Sequence, residues 1–139
     1  MKKVRRHIAH AMTWWRRRLP AWLLTVLTVG AVLWLTLAPQ PLPDNDIPLF
    51  PGADKLVHAA MFGGVTLVLW ADWRMTRHRP LAVWQTALCA VIAIALGGAI
   101  EIAQGTMNLG RSADFADFVA DTIGSLAVMA ILLHRPSRR

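Results

Sequence analysis

Apolar residues in this chain come in long blocks, with the polar residues gathered between them. Leu19 to Ala38 is a run of twenty residues without a charge. As a helix rising 1.5 Å per residue it would be about 30 Å long, the hydrocarbon thickness of a bilayer. A basic segment precedes it, as in a signal peptide, but the apolar stretch exceeds the usual h-region of about 7–15 residues. Pro39 also follows the one plausible cut, after Ala38. The pattern predicts a retained first transmembrane helix. Pro39 to Pro51 then carries five prolines with Asp44 and Asp46 and no Lys or Arg. Proline at that density stops a helix and favours extended backbone.

A second helix is expected from Gly52-Ala-Asp54-Lys55 to about Trp73, with Asp54 suited to cap it. A short basic loop follows, Arg74, Arg77, His78, Arg79 and Pro80. A third apolar run extends from Leu81 through Ile100 and ends with Glu101 and Gln104, and Gly105 to Gly110 makes a turn. The fourth helix starts near Ser112 or Asp114, either of which can cap it, and ends before His134-Arg135-Pro136. Gly63, Gly64, Gly97, Gly98, Gly124 and Ser125 are small residues that permit close helix contact. The expected fold is all-α, a four-helix transmembrane bundle. Its domains are a basic segment 1–18, a membrane domain 19–134 and a basic tail 135–139.

Composition agrees with this class. The chain of 139 residues is one domain, 55% apolar and 17% charged, with a mean hydropathy of +0.42. Typical soluble domains have about 25% charged residues. A net charge of +7 would suit nucleic acid, but seven of the fifteen basic residues lie before residue 19 and most others flank apolar runs. That distribution is a topology signal rather than a groove-lining stripe, so no nucleic-acid partner is expected. Val4, Ile8, Met12 and Trp15 recur at helical spacing, so residues 1–18 read equally as an amphipathic helix on the membrane or a flexible basic tail. Cys89, the single cysteine, lies inside an apolar run and reads as a small core residue.

The same charge bias sets topology. Basic residues collect in the N-terminal segment, the 74–79 loop and the C-terminal tail, which places both termini on the cytoplasmic side. Asp54, Lys55 and His58 then sit at the outer end of the second helix, Glu101 and Gln104 at the outer end of the third, and Arg111, Asp114, Asp117 and Asp121 at the outer end of the fourth. Spacing gives direction: Glu101 and Gln104 share one helical face, and so do Asp114, Asp117 and Asp121. The expectation is an acidic pocket opening outward. Five carboxylates against Lys55 and Arg111 are not sustainable unpaired at low dielectric. A carboxyl can keep its proton, a divalent cation can sit among them, or a cationic ligand can bind. A metal would be a hard one on oxygen ligands, or zinc if His58 takes part. Arg111 can hold a phosphate or carboxylate bidentately, or pair with Asp114 or Glu101 to lock the turn. No nucleophile triad, phosphate-binding glycine loop or CxxC pair is present.

Asp54-Lys55-Leu-Val-His58 before an apolar helix, Glu101-Ile-Ala-Gln104 closing the next, and Arg111…Asp114…Asp117…Asp121-Thr-Ile-Gly124 together resemble the VanZ-like family over roughly residues 20–133. That family consists of small multi-pass membrane proteins associated with teicoplanin (glycopeptide) resistance. The family pattern usually has Asn where this chain has Asp121, and an aromatic where Ala59 stands, so the pocket here carries one more charge. The resemblance implies the bacterial cell envelope and its cytoplasmic membrane, without a reaction.

Two readings of function follow. In the first, the protein binds or processes a lipid-linked or peptidoglycan-related substrate. Glu101 and Asp117 then handle a proton, while Asp54, Lys55, His58, Gln104, Arg111, Asp114 and Asp121 line the substrate site. In the second, it is a structural or accessory protein whose ion pairs fix helix packing. A proton- or ion-coupled transporter fits less well, because no repeat or broken helix is evident.

Overall fold

The computed structural model describes residues 20–38, 50–107 and 113–134. Four helices make up the fold: α1 (Leu23–Leu37), α2 (Ala53–Arg77), α3 (Val83–Met107) and α4 (Phe115–His134). No strand occurs among the described residues. The last three are long and apolar enough to cross a membrane. The outer faces of α1, α3 and α4 carry Val26, Leu27, Val91, Ile123 and Ile131, all more than half exposed, which suits hydrocarbon and not water.

Each helix ends for a local chemical reason. The first is shorter than the twenty residues expected, fifteen residues or about 22 Å. Pro20 to Trp22 form a turn with Trp22 in the left-handed region, so the helix opens only at Leu23. At its other end Ala38 is extended, the conformation that a following proline imposes. The second helix is capped by Gly52 at φ 87°, a backbone angle that suits glycine, and not by Asp54, which lies inside the first turn. It continues past Trp73 to Arg77, where His78 closes it in a left-handed turn and its N–H donates to the Arg74 carbonyl. Arg74 and Arg77 complement the negative end of the helix dipole there.

Helix α3 starts after Pro80, with Gln85 Oε1 accepting from the Ala82 amide at 2.9 Å, half of a capping box. It runs through Gly105 to Met107, so Gly105 and Thr106 are helical where a turn was expected. Helix α4 is capped by Asp114, whose Oδ1 accepts from the Ala116 amide at 2.8 Å. It includes His134.

The core is formed by Val32, Phe62, Val65, Leu69, Cys89, Ala93 and Ile100, residues from α1, α2 and α3. The closest helix crossing joins α2 to α4. A methyl group added to Gly124 would overlap the Ala59 backbone, and one added to Gly63 would come within 3.2 Å of the Gly124 carbonyl oxygen. Small residues allow that approach, as in membrane helix pairs generally. The helices run antiparallel in sequence order, so the beginning of α2, the end of α3 and the beginning of α4 meet at one end of the bundle. At the opposite end Asp72 is buried, and its Oδ2 accepts from the Thr25 amide at 2.9 Å and the Thr25 hydroxyl at 2.8 Å. Asp72 thereby covers an amide that the first turn of α1 leaves without a helical partner. Arg74 lies 5.0 Å over the Trp70 ring and Arg77 5.8 Å over the Trp73 ring, a basic and aromatic border typical of a membrane interface.

Candidate functional site

The site is built from three helix ends. On α2, Asp54, Lys55 and His58 fall within the first two turns. On α3, Glu101 and Gln104 fall within the last two, and on α4 Asp117 and Asp121 follow the Asp114 cap. Lys55 is the hub of its outer part. Its Nζ donates to Asp54 Oδ2 at 2.9 Å, Asp114 Oδ2 at 3.0 Å and Asp117 Oδ1 at 2.8 Å, three carboxylates sharing one ammonium. The carboxylates become drier with depth. Side-chain exposure falls from 61% at Asp54 to 48% at Asp114, 18% at Asp117 and 1% at Asp121. The outer pairs are therefore weakened by water, and the inner groups are where charge costs most.

Below Lys55 lies an inner group. His58 Nδ1 is 3.0 Å from Asp121 Oδ1, and His58 Nε2 is 3.7 Å from Asp117 Oδ2. Glu101 Oε2 accepts from the Asp114 amide at 2.8 Å, which ties the end of α3 to the cap of α4. One donor atom each from His58, Glu101 and Asp121 lies within 4.8 Å of the others, a spacing at which a metal ion can be held. Two oxygens of this group, Glu101 Oε1 and Asp121 Oδ2, are buried without a hydrogen-bond partner among the described residues. Gly97, one turn before Glu101 on α3, makes room for the Asp121 carboxylate. A Cβ at that position would come within 2.8 Å of Asp121 Oδ2.

The cap residue carries the clearest electrostatic signature outside the spans. The Ala116 amide, followed by the Lys55 ammonium, holds the Asp114 carboxyl below the usual carboxylate range. Both partners favour the ionised form.

Most of the residues selected from the sequence come together here: Asp54, Lys55, His58, Glu101, Asp114, Asp117 and Asp121. Gln104 is turned elsewhere. It is buried, and its Nε2 donates to the Thr36 carbonyl of α1 at 2.9 Å. Arg111, the expected anion holder, lies outside the described residues, as do segment 1–18 and tail 135–139. Asp117 is engaged by Lys55, whereas Asp121 shares the inner group with His58 and Glu101. Sequence reasoning did not single out Thr36 or Asp72. A carboxylate in the last two turns of α2 and a threonine at the end of α1 were visible signals, but their partners lie 47 and 68 residues away in sequence.

A sequence model of the VanZ/LLP1 family matches residues 9–135. No curated protein and no solved structure matches the chain. The family match spans nearly the whole sequence, and the structure beneath it is all-helical with membrane-length apolar helices. The chain belongs to the VanZ/LLP1 family of membrane proteins.

Proposed function

We propose that this protein is a multi-pass component of the bacterial cytoplasmic membrane whose polar pocket faces outward and binds or processes a lipid-linked or cell-wall-related substrate. Glycopeptide (teicoplanin) susceptibility is the phenotype to which it would contribute. The observation that carries the reading is the pair of buried carboxylate oxygens on Glu101 and Asp121, beside His58, that find no partner among the described residues. A group kept only to fix packing would have its acceptors satisfied, because an unmet buried acceptor costs about 1–3 kcal/mol. Orientation rests on charge. Basic residues crowd the 74–79 loop and both ends of the chain, and the cluster of carboxylates lies at the other end of the spans.

Within the pocket, Glu101 is suited to hold or move a proton at Oε1, since Oε2 is fixed by the Asp114 amide. Asp117, held by Lys55 and facing His58 Nε2, is suited to assist it. A second reading has one observation in its favour. The Glu101 contact to the Asp114 amide and the Lys55 ion pairs fasten α2, α3 and α4 together, as a purely structural or accessory protein would need.

The two are separated by Glu101→Gln and Asp117→Asn in a host whose glycopeptide susceptibility depends on the gene. The proposal expects normal amounts of folded protein with at least a tenfold loss of the protective effect. An unchanged phenotype in both folded variants would leave only the structural reading.

A further inference from the structure

We propose that His58, Glu101 and Asp121 form a binding site for one divalent transition-metal ion of the zinc class. The inference rests on the proposed function and names a cofactor for the same cluster, with Glu101 Oε1 then ligating the ion and proton handling left to Asp117. Three helices contribute one imidazole nitrogen and two carboxylate oxygens, all within 4.8 Å of one another. A tetrahedral zinc ion with bonds of about 2.0–2.2 Å sets its ligand atoms about 3.4 Å apart. Small side-chain rotations close that difference.

The unpartnered oxygens point independently to a cation. Glu101 is 7% exposed and Asp121 1%, and each keeps one oxygen with no donor. Asp121 Oδ2 projects toward α3 above Gly97, one helical turn from Glu101. The described residues offer these atoms no N–H or O–H. A dication satisfies both oxygens and balances both carboxylate charges in a region where neither is easily carried alone.

The surroundings are those of a metal site. Metal-bound histidine commonly gives its second ring nitrogen to a carboxylate. With the metal on the Asp121 side at Nδ1, Nε2 faces Asp117, 3.7 Å away and anchored by Lys55. Glu101 is likewise oriented through Oε2 by the Asp114 amide. An imidazole in the set favours zinc-class ions over magnesium or calcium. Three protein ligands leave a fourth position for water or for an oxygen of an anionic head group.

The test uses the full chain in detergent, stripped with chelator and titrated with Zn²⁺ alone. One ion per chain is expected, with a rise in the thermal unfolding temperature. Glu101→Gln and His58→Gln should each weaken binding at least about tenfold, the lower bound for loss of even an outer-shell partner. Asp72→Asn, at the opposite end of the bundle, should bind as the unsubstituted chain does. Co²⁺ added to the unsubstituted chain supplies a readout that needs no variant to fold, through the visible bands of four-coordinate nitrogen and oxygen ligation. Absence of stoichiometric binding, equal affinity in both folded variants, or a six-coordinate Co²⁺ spectrum would overturn the site. The two proposals fail separately. Zinc binding with an unchanged envelope phenotype in Glu101→Gln removes the functional reading and leaves the metal. Loss of phenotype in a chain that takes up no zinc does the reverse.

Discussion

Asp114 shows how much one side chain can do at a helix start. Its Oδ1 caps α4, its Oδ2 meets Lys55, and its own amide fixes Glu101. Because the folded protein holds this carboxyl below its ordinary range, ionisation favours folding. The contribution is present in full above the unfolded pKa of about 3.9 and is lost as pH falls through the lowered folded value. Asp114→Asn keeps a good cap but removes the charge. Thermal unfolding followed below about pH 4 should therefore fall less steeply in this variant than in the unsubstituted chain. Equal slopes would show that the Asp114 charge does not matter to stability. The cap at Asp114 was one of two the sequence offered, beside Ser112, because Asp or Ser before an apolar run is a common start signal. The cap of α2 was not legible, since Asp54 carries the same signal two residues after the glycine whose left-handed backbone actually starts the helix.

Between elements, the decisive contact is the crossing of α2 and α4. Gly124→Ala should drive its new methyl into the Ala59 backbone and lower stability by about 1–3 kcal/mol, as overpacked sites do. Gly64→Ala should be neutral or stabilising. No atom lies within 4 Å of a Cβ there, and alanine is the better helix former by about 1 kcal/mol. Unfolding of both variants in detergent measures the contrast, and similar effects would argue against the tight crossing. In the sequence Gly63 and Gly64 are indistinguishable. Only the neighbouring helix decides which one must stay small. Helix ends governed by proline were easier to read: Pro39 stops α1 and Pro80 precedes α3, whereas Gly105 failed to break α3.

For the molecule as a whole, the hydrophobic blocks foretold an all-helical membrane fold, and the polar spacing foretold that three helix ends would meet. Pairings inside the cluster were not foretold. Which carboxylate faces His58 depends on the rotation of α4 against α2, which a repeat of i, i+3, i+7 leaves open. The proposed orientation can be checked by cysteine labelling, because the native Cys89 is buried and should react little. Met107→Cys, near the pocket end, should be modified by a membrane-impermeant reagent in intact cells. Arg79→Cys, at the other end, should react only after permeabilisation. The reverse pattern would turn the polar cluster toward the cytoplasm.

The Thr25–Asp72 clasp bears on how such a protein is assembled during synthesis. Synthesis makes α1 before α2, and the carboxylate that covers the Thr25 amide trails 47 residues behind. The amino end of the first helix therefore becomes complete only when the second has folded back alongside it. The clasp therefore needs only the first hairpin of helices, whereas the polar cluster at the far end also needs the later pair.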